Sequence, residues 1–81
     1  TPLFYACEGK NERIVKYLVE KGATINKESK YKETPLFKAC KSGHERIVKY
    51  LVEKGADINK ENKYEETPLF EACKSGHETI V

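Results

Sequence analysis

The four residues Thr-Pro-Leu-Phe occur at Thr1, Thr34 and Thr67, so the chain repeats with a period of 33 residues. A fixed period of that length marks a stacked array, in which each unit is one supersecondary element and the core forms between units. Residues 1–33 and 34–66 differ at eight places: Tyr5/Lys38, Glu8/Lys41, Gly9/Ser42, Lys10/Gly43, Asn11/His44, Thr24/Asp57, Ser29/Asn62 and Lys32/Glu65. Residues 67–81 follow the second copy except at Glu71 and Thr79. The expected division is two whole units, 1–33 and 34–66, and a truncated third, 67–81, in one continuous stack.

The second copy shows what one unit should be. Thr34 before Pro35 is a helix start, because the hydroxyl satisfies an orphan amide and proline at the first turn loses no hydrogen bond. A helix of about two turns follows, with Leu36, Phe37, Ala39 and Cys40 burying most of its girth. Ala39 and Cys40 are small and admit a neighbouring backbone. Ser42-Gly43 breaks the helix, glycine supplying a left-handed turn. A second helix is expected from Glu45 to Lys54, apolar at Ile47, Val48, Tyr50, Leu51 and Val52, with Gly55 ending it. The polar stretch from Ala56 to Glu66 carries only Ile58 and Tyr64 as large apolar groups and reads as a projecting loop or hairpin. Neither helix covers its apolar side within one unit, so units must stack.

Composition narrows the function classes. Fifteen basic and thirteen acidic residues give a net charge of +2, and they are interleaved rather than gathered on one face, which argues against nucleic acid as partner. No apolar stretch approaches a membrane span. Cys7, Cys40 and Cys73 hold the same place in successive units; equivalent helices in a stack lie roughly 8–10 Å apart, too far for a disulfide. Zinc ligands come in close pairs that this chain lacks. The cysteines are expected to be small buried hydrophobes, and free thiols point to a reducing, cytoplasmic compartment. His44 and His77 lack a paired acid or nucleophile, and no phosphate loop or His-Glu-x-x-His is present, so no catalytic residue, metal or cofactor is assigned.

Thr34-Pro35-Leu36, Ala39, Gly43-His44, Ile47-Val48, Leu51-Val52 and Gly55-Ala56-Asp57-Ile58-Asn59 together resemble the ankyrin repeat, over the whole chain. The resemblance implies an all-α solenoid of stacked helix-turn-helix units with projecting hairpins, and protein binding through hairpin tips and the concave face of the first helices. Phe4, Phe37 and Phe70 stand where that family commonly has a hydrogen-bonding histidine, so aromatic packing should replace those contacts. Lys32 and Glu65 stand at the hairpin glycine, and a side chain there disfavours positive φ, which leaves the finger conformation open. Gly9-Lys10-Asn11 moves the turn glycine of the first unit by one place.

Carried onto this sequence, the family's binding positions are Tyr5, Glu8, Lys38, Lys41, Glu71 and Lys74 on the first helices. On the fingers they are Lys30, Tyr31, Lys32, Glu33, Lys63, Tyr64, Glu65 and Glu66. Places 5, 8 and 32 of the unit also differ between copies, as an exposed contact face would. Tyr31 and Tyr64 are either interface anchors or packed beneath their own fingers. The function expected is an interaction module for an unidentified protein partner; the rival is a structural spacer without a dedicated partner. Both ends are expected to lie within a longer protein. Missing burial in the third unit, roughly 1.5–3 kcal/mol per side chain, gives the further expectation that the chain is weakly stable alone or covers its ends by end-to-end self-stacking.

Overall fold

The computed structural model of the chain describes residues 2–74 and Gly76. Thr1, Ser75 and residues 77–81 fall outside that description, and with them the helix start expected at Thr1, His77, and the apolar pair Ile80 and Val81. Five helices follow one another: α1 (Pro2–Glu8), α2 (Glu12–Glu20), α3 (Pro35–Ser42), α4 (Glu45–Glu53) and α5 (Pro68–Lys74). No strand occurs among the described residues. The fold is an all-α repeat solenoid. Its first helices begin at Pro2, Pro35 and Pro68, one period apart.

Local chemistry sets the helix ends. Thr34 Oγ1 accepts from the Phe37 amide at 3.3 Å, and Thr67 Oγ1 from the Phe70 amide at 3.2 Å. Each satisfies a donor that the first turn leaves unpaired. At the other end of α3, Gly43 is left-handed (φ 74°) and the His44 amide returns to the Ala39 carbonyl at 3.1 Å. In the first unit the corresponding bond runs from the Asn11 amide to the Ala6 carbonyl at 3.2 Å. The left-handed place there belongs to Lys10 (φ 61°), not to the displaced Gly9. Turn geometry is therefore conserved while its residue is not, at a conformational cost that a lysine carries and a glycine avoids.

Packing runs in two rows. α1, α3 and α5 lie side by side, as do α2 and α4, and each first helix that is followed by a described second helix packs on it. The core threads the seams: Leu3 and Cys7 from α1, Leu36, Ala39 and Cys40 from α3, Ile47 and Leu51 from α4, and Ala72 from α5. Ala39 and Ala72 are fully covered, the expected use of a small residue where helices approach. Burial pushes the Cys7 thiol up to about 12 and the Cys40 thiol to about 11, the latter with a further push from the Glu71 carboxylate. Both are packing groups. Cys73 departs from the expectation of three buried cysteines, because α5 has no following first helix over it among the described residues and its thiol is exposed.

Polar bonds lock the units in register. Asn26 Oδ1 accepts from the Asp57 amide at 2.8 Å, and its Nδ2 donates to the Gly55 carbonyl at 3.3 Å. His44 Nε2 lies 3.2 Å from the Glu8 carbonyl and bridges the turn of the second unit to the end of α1. Asn11, at the same place in the first unit, caps its own helix instead, accepting from the Ile14 amide at 3.2 Å.

Candidate interaction groove

Between the helix pairs the chain forms a finger, and the two fingers share one construction. Ser29 donates its amide to the Glu33 carbonyl at 2.8 Å and accepts from the Lys32 amide at 2.9 Å. Its hydroxyl accepts from the Tyr31 and Glu33 amides at 3.2 and 3.3 Å. One period on, Asn62 Oδ1 does the same for the Tyr64 and Glu66 amides at 2.8 and 2.9 Å. Serine and asparagine both supply a short side-chain oxygen to a turn, which explains why this place alternates between them.

Lys32 (φ 61°) and Glu65 (φ 64°) adopt the left-handed conformation that follows such a turn. The side chains that argued against a family-like hairpin are thus accommodated, because the paired turn bonds hold the backbone there. The fingers are also tied together: the Lys63 amide donates to the Tyr31 carbonyl at 2.8 Å, and Lys60 Nζ lies 2.7 Å from Glu28 Oε2. That ion pair holds the Glu28 carboxyl below its ordinary range and the Lys60 ammonium above its own.

First helices and fingers enclose an open groove of about 690 Å³, lined by residues of both units. It brings together seven of the residues expected from sequence: Tyr5, Lys38 and Lys41 from the helices, and Lys30, Tyr31, Glu33 and Tyr64 from the fingers. Tyr5, Tyr31 and Tyr64 are all exposed, so neither finger tyrosine is packed away beneath its turn. Lys30 Nζ stands 5.1 Å from the centre of the Tyr31 ring. Phe4 lines the same wall, edge-on to Tyr5 at 6.2 Å, with Lys38 Nζ 5.1 Å from its ring centre. Aromatic packing has replaced the histidine contacts at Phe4, and Phe37 is buried outright, whereas Phe70 remains half exposed.

Seven expected residues stand outside the groove wall: Glu8, Lys32, Lys63, Glu65, Glu66, Glu71 and Lys74. Glu71 needs correction. It is 6 % exposed, because the fifth place of a unit faces the preceding unit rather than solvent. Lys38, at that place in the second unit, is likewise largely covered and bonds Glu8 across the seam at 3.4 Å. The inference that differing places mark a contact face fails at these residues; they differ because the seams differ. Lys74 reaches back to Glu66 at 3.6 Å.

A family model described as ankyrin repeats (3 copies) matches residues 3–81. The chain belongs to the ankyrin repeat family. Ankyrin repeats are generally protein–protein interaction modules and typically have no enzymatic activity. No curated protein matches the chain. The ankyrin groove here also includes Phe4, Lys27, Glu28 and Ser29, which sequence reasoning left out of the binding set. Ser29 carried a usable signal, since it is one of the eight places that differ between copies. No helix among the described residues is long and apolar enough to cross a membrane, and no group of metal-ligating side chains occurs among them.

Proposed function

We propose that the groove between first helices and fingers receives a segment of a partner protein, with Tyr31 and Tyr64 as its anchors. The supporting observation is that three tyrosines from two units, Tyr5, Tyr31 and Tyr64, stand exposed on one concave wall beside Lys30, Lys38 and Lys41. Tyrosine brings large contact area at small entropic cost, and lysines around it offer charge to a polar rim. The partner-binding set is then Tyr5, Lys30, Tyr31, Glu33, Lys41 and Tyr64, while Lys38 lines the groove but is held by Glu8 across the seam. The buried thiols of Cys7 and Cys40 suit a module that works in a reducing, cytoplasmic setting.

The experiment compares two variants of the chain as bait. Tyr31→Ala with Tyr64→Ala should lose bound partners at least tenfold, whereas Lys16→Ala with Lys49→Ala, on the second helices, should keep them. Equal retention by both baits would defeat the groove, and no specific partner on any bait, the unchanged chain included, would favour the spacer.

A specific observation favours a second reading, end-to-end stacking of copies. Leu69, Val52, Ile14 and Tyr17 are exposed, whereas their equivalents one period away, Leu36, Val19, Ile47 and Tyr50, are buried in or packed against the core that forms the seam between the two complete units. A second copy could therefore repeat that seam. Light scattering over a dilution series should show mass falling toward the monomer; a monomer mass at every concentration would oppose the idea.

A further inference from the structure

A stack of near-identical units has a difficulty that a heterogeneous fold lacks: any unit fits on any other. α2 and α4 share one sequence, and α3 and α5 differ at a single position within their common length. Packing alone does not say which unit follows which, so a slip by one period, or an exchange of units between chains, costs little apolar contact. Something polar has to decide.

The seam between the first two units contains such a group. Glu8 ends α1, and its Oε2 lies 3.4 Å from Nζ of Lys38 on α3. The lysine side chain is only 13 % exposed there. In unit terms the eighth place of one unit meets the fifth place of the next. Moved on by one period, the same pair of places holds Lys41 and Glu71. Both signs are reversed, and the complementarity is kept. Glu71 is buried, and a buried carboxylate requires a counter-charge. Its field reaches the Cys40 thiol, the residue directly before Lys41. The Lys74–Glu66 pair, moved back one period, corresponds to Lys41 and Glu33, again a basic and an acidic residue.

We propose that the fifth and eighth places form a charge register that fixes the order of the units, its sign reversing from the first seam to the second. The wrong orders bring like charges together. Seating the third unit on the first opposes Glu71 to Glu8. Seating the second unit of another copy on the second unit opposes Lys38 to Lys41. Like-charge contacts of this kind discriminate between arrangements that are otherwise equally well packed.

Urea unfolding of the full chain tests the pairs. Glu8→Lys is expected to lower the folding constant about fivefold to tenfold, and adding Lys38→Glu should recover most of that loss. Lys41→Glu should behave in the same way, with recovery by Glu71→Lys. If either single variant is unfolded, Lys41→Gln and Glu71→Gln replace it, and their combination should cost less than the product of the two single losses. Losses that simply multiply, in either seam, would overturn the pairing.

Ordering has its own readout. The chain carrying both Glu8→Lys and Lys38→Glu keeps two complementary seams, but Lys at 8 now attracts Glu71 and Glu at 38 attracts Lys41. It should match the parent in stability at low concentration and show a larger dimer fraction at high concentration, a difference that 1 M salt reduces. A dimer fraction equal to the parent's would overturn the ordering role even with the pairs intact.

Discussion

Helices α2 and α4 have the same nine residues, yet Ile14 is 45 % exposed and Ile47 only 2 %. α3 and α5 repeat the lesson from the other side: Leu36 is 2 % exposed and Leu69 52 %. Local sequence makes each helix amphipathic, but the neighbouring unit decides which apolar residues reach the core. Burial in this chain is a property of seams. A residue's contribution to stability should therefore follow its place in the stack and not its identity.

The largest test of that contrast is Leu36→Ala against Leu69→Ala. The first should cost about 3 kcal/mol, through lost transfer energy and a cavity between α3 and its neighbours, and the second less than about 1 kcal/mol. Chemical denaturation of both variants measures the difference; equal losses would break the comparison. Next in size, the cysteines repeat it at one place of the unit. Cys73 should react with a thiol reagent about 100-fold faster than Cys7 or Cys40 under native conditions, because it alone of the three is exposed, whereas burial raises the other two thiols. The sign on stability also follows. Thiols held up in the folded state stabilise fully below the ordinary value of 9.0, and that contribution declines as pH rises toward about 11 and about 12.

Most of the helical architecture was legible in sequence. Threonine-proline starts, apolar spacing and terminal glycines act within a few residues of one another, and helices begin at Pro35 and Pro68 and give way at Gly43 and just before Gly55 as those signals imply. The finger backbone was less legible. Glycine is absent at Lys10, Lys32 and Glu65, and propensity argues against the conformation that all three adopt. Turn bonds from Ser29 and Asn62 outweigh that preference at the fingers. The candidate site was half legible. Exposed Tyr31 and Tyr64 fell where the resemblance placed them, but Glu71 did not. Whether the fifth place faces solvent depends on the unit before it, and no single-unit reading contains that information.

Smaller effects sharpen the contrast between finger and helix. Lys32→Gly and Glu65→Gly should each raise stability by about 0.5 kcal/mol, the relief of a left-handed side-chain residue less the added freedom of glycine in the unfolded chain. A loss in both would mean that these side chains contribute contacts that outweigh their backbone strain. Smallest of all is the exposed Glu28–Lys60 pair. The Glu28 carboxyl should titrate below 4.5 by side-chain NMR and return toward it in Lys60→Gln. Its stabilising contribution is present above the ordinary carboxylate range and lost as pH falls through the depressed value. That of Lys60 is present below 10.5 and lost as pH rises through its raised value.

The amide of Lys63 donates a hydrogen bond to the carbonyl of Tyr31, joining one fingertip to the next. Two aromatic rings on separate loops would otherwise wander independently, and a ligand would have to still both. Joined through the main chain, they keep a fixed interval equal to one step of the array, like marks on a rule. On the binding role proposed for Tyr31 and Tyr64, a binder whose own side chains recur at that interval would find both rings already spaced, whereas one with a different spacing would have to break the joint to bind.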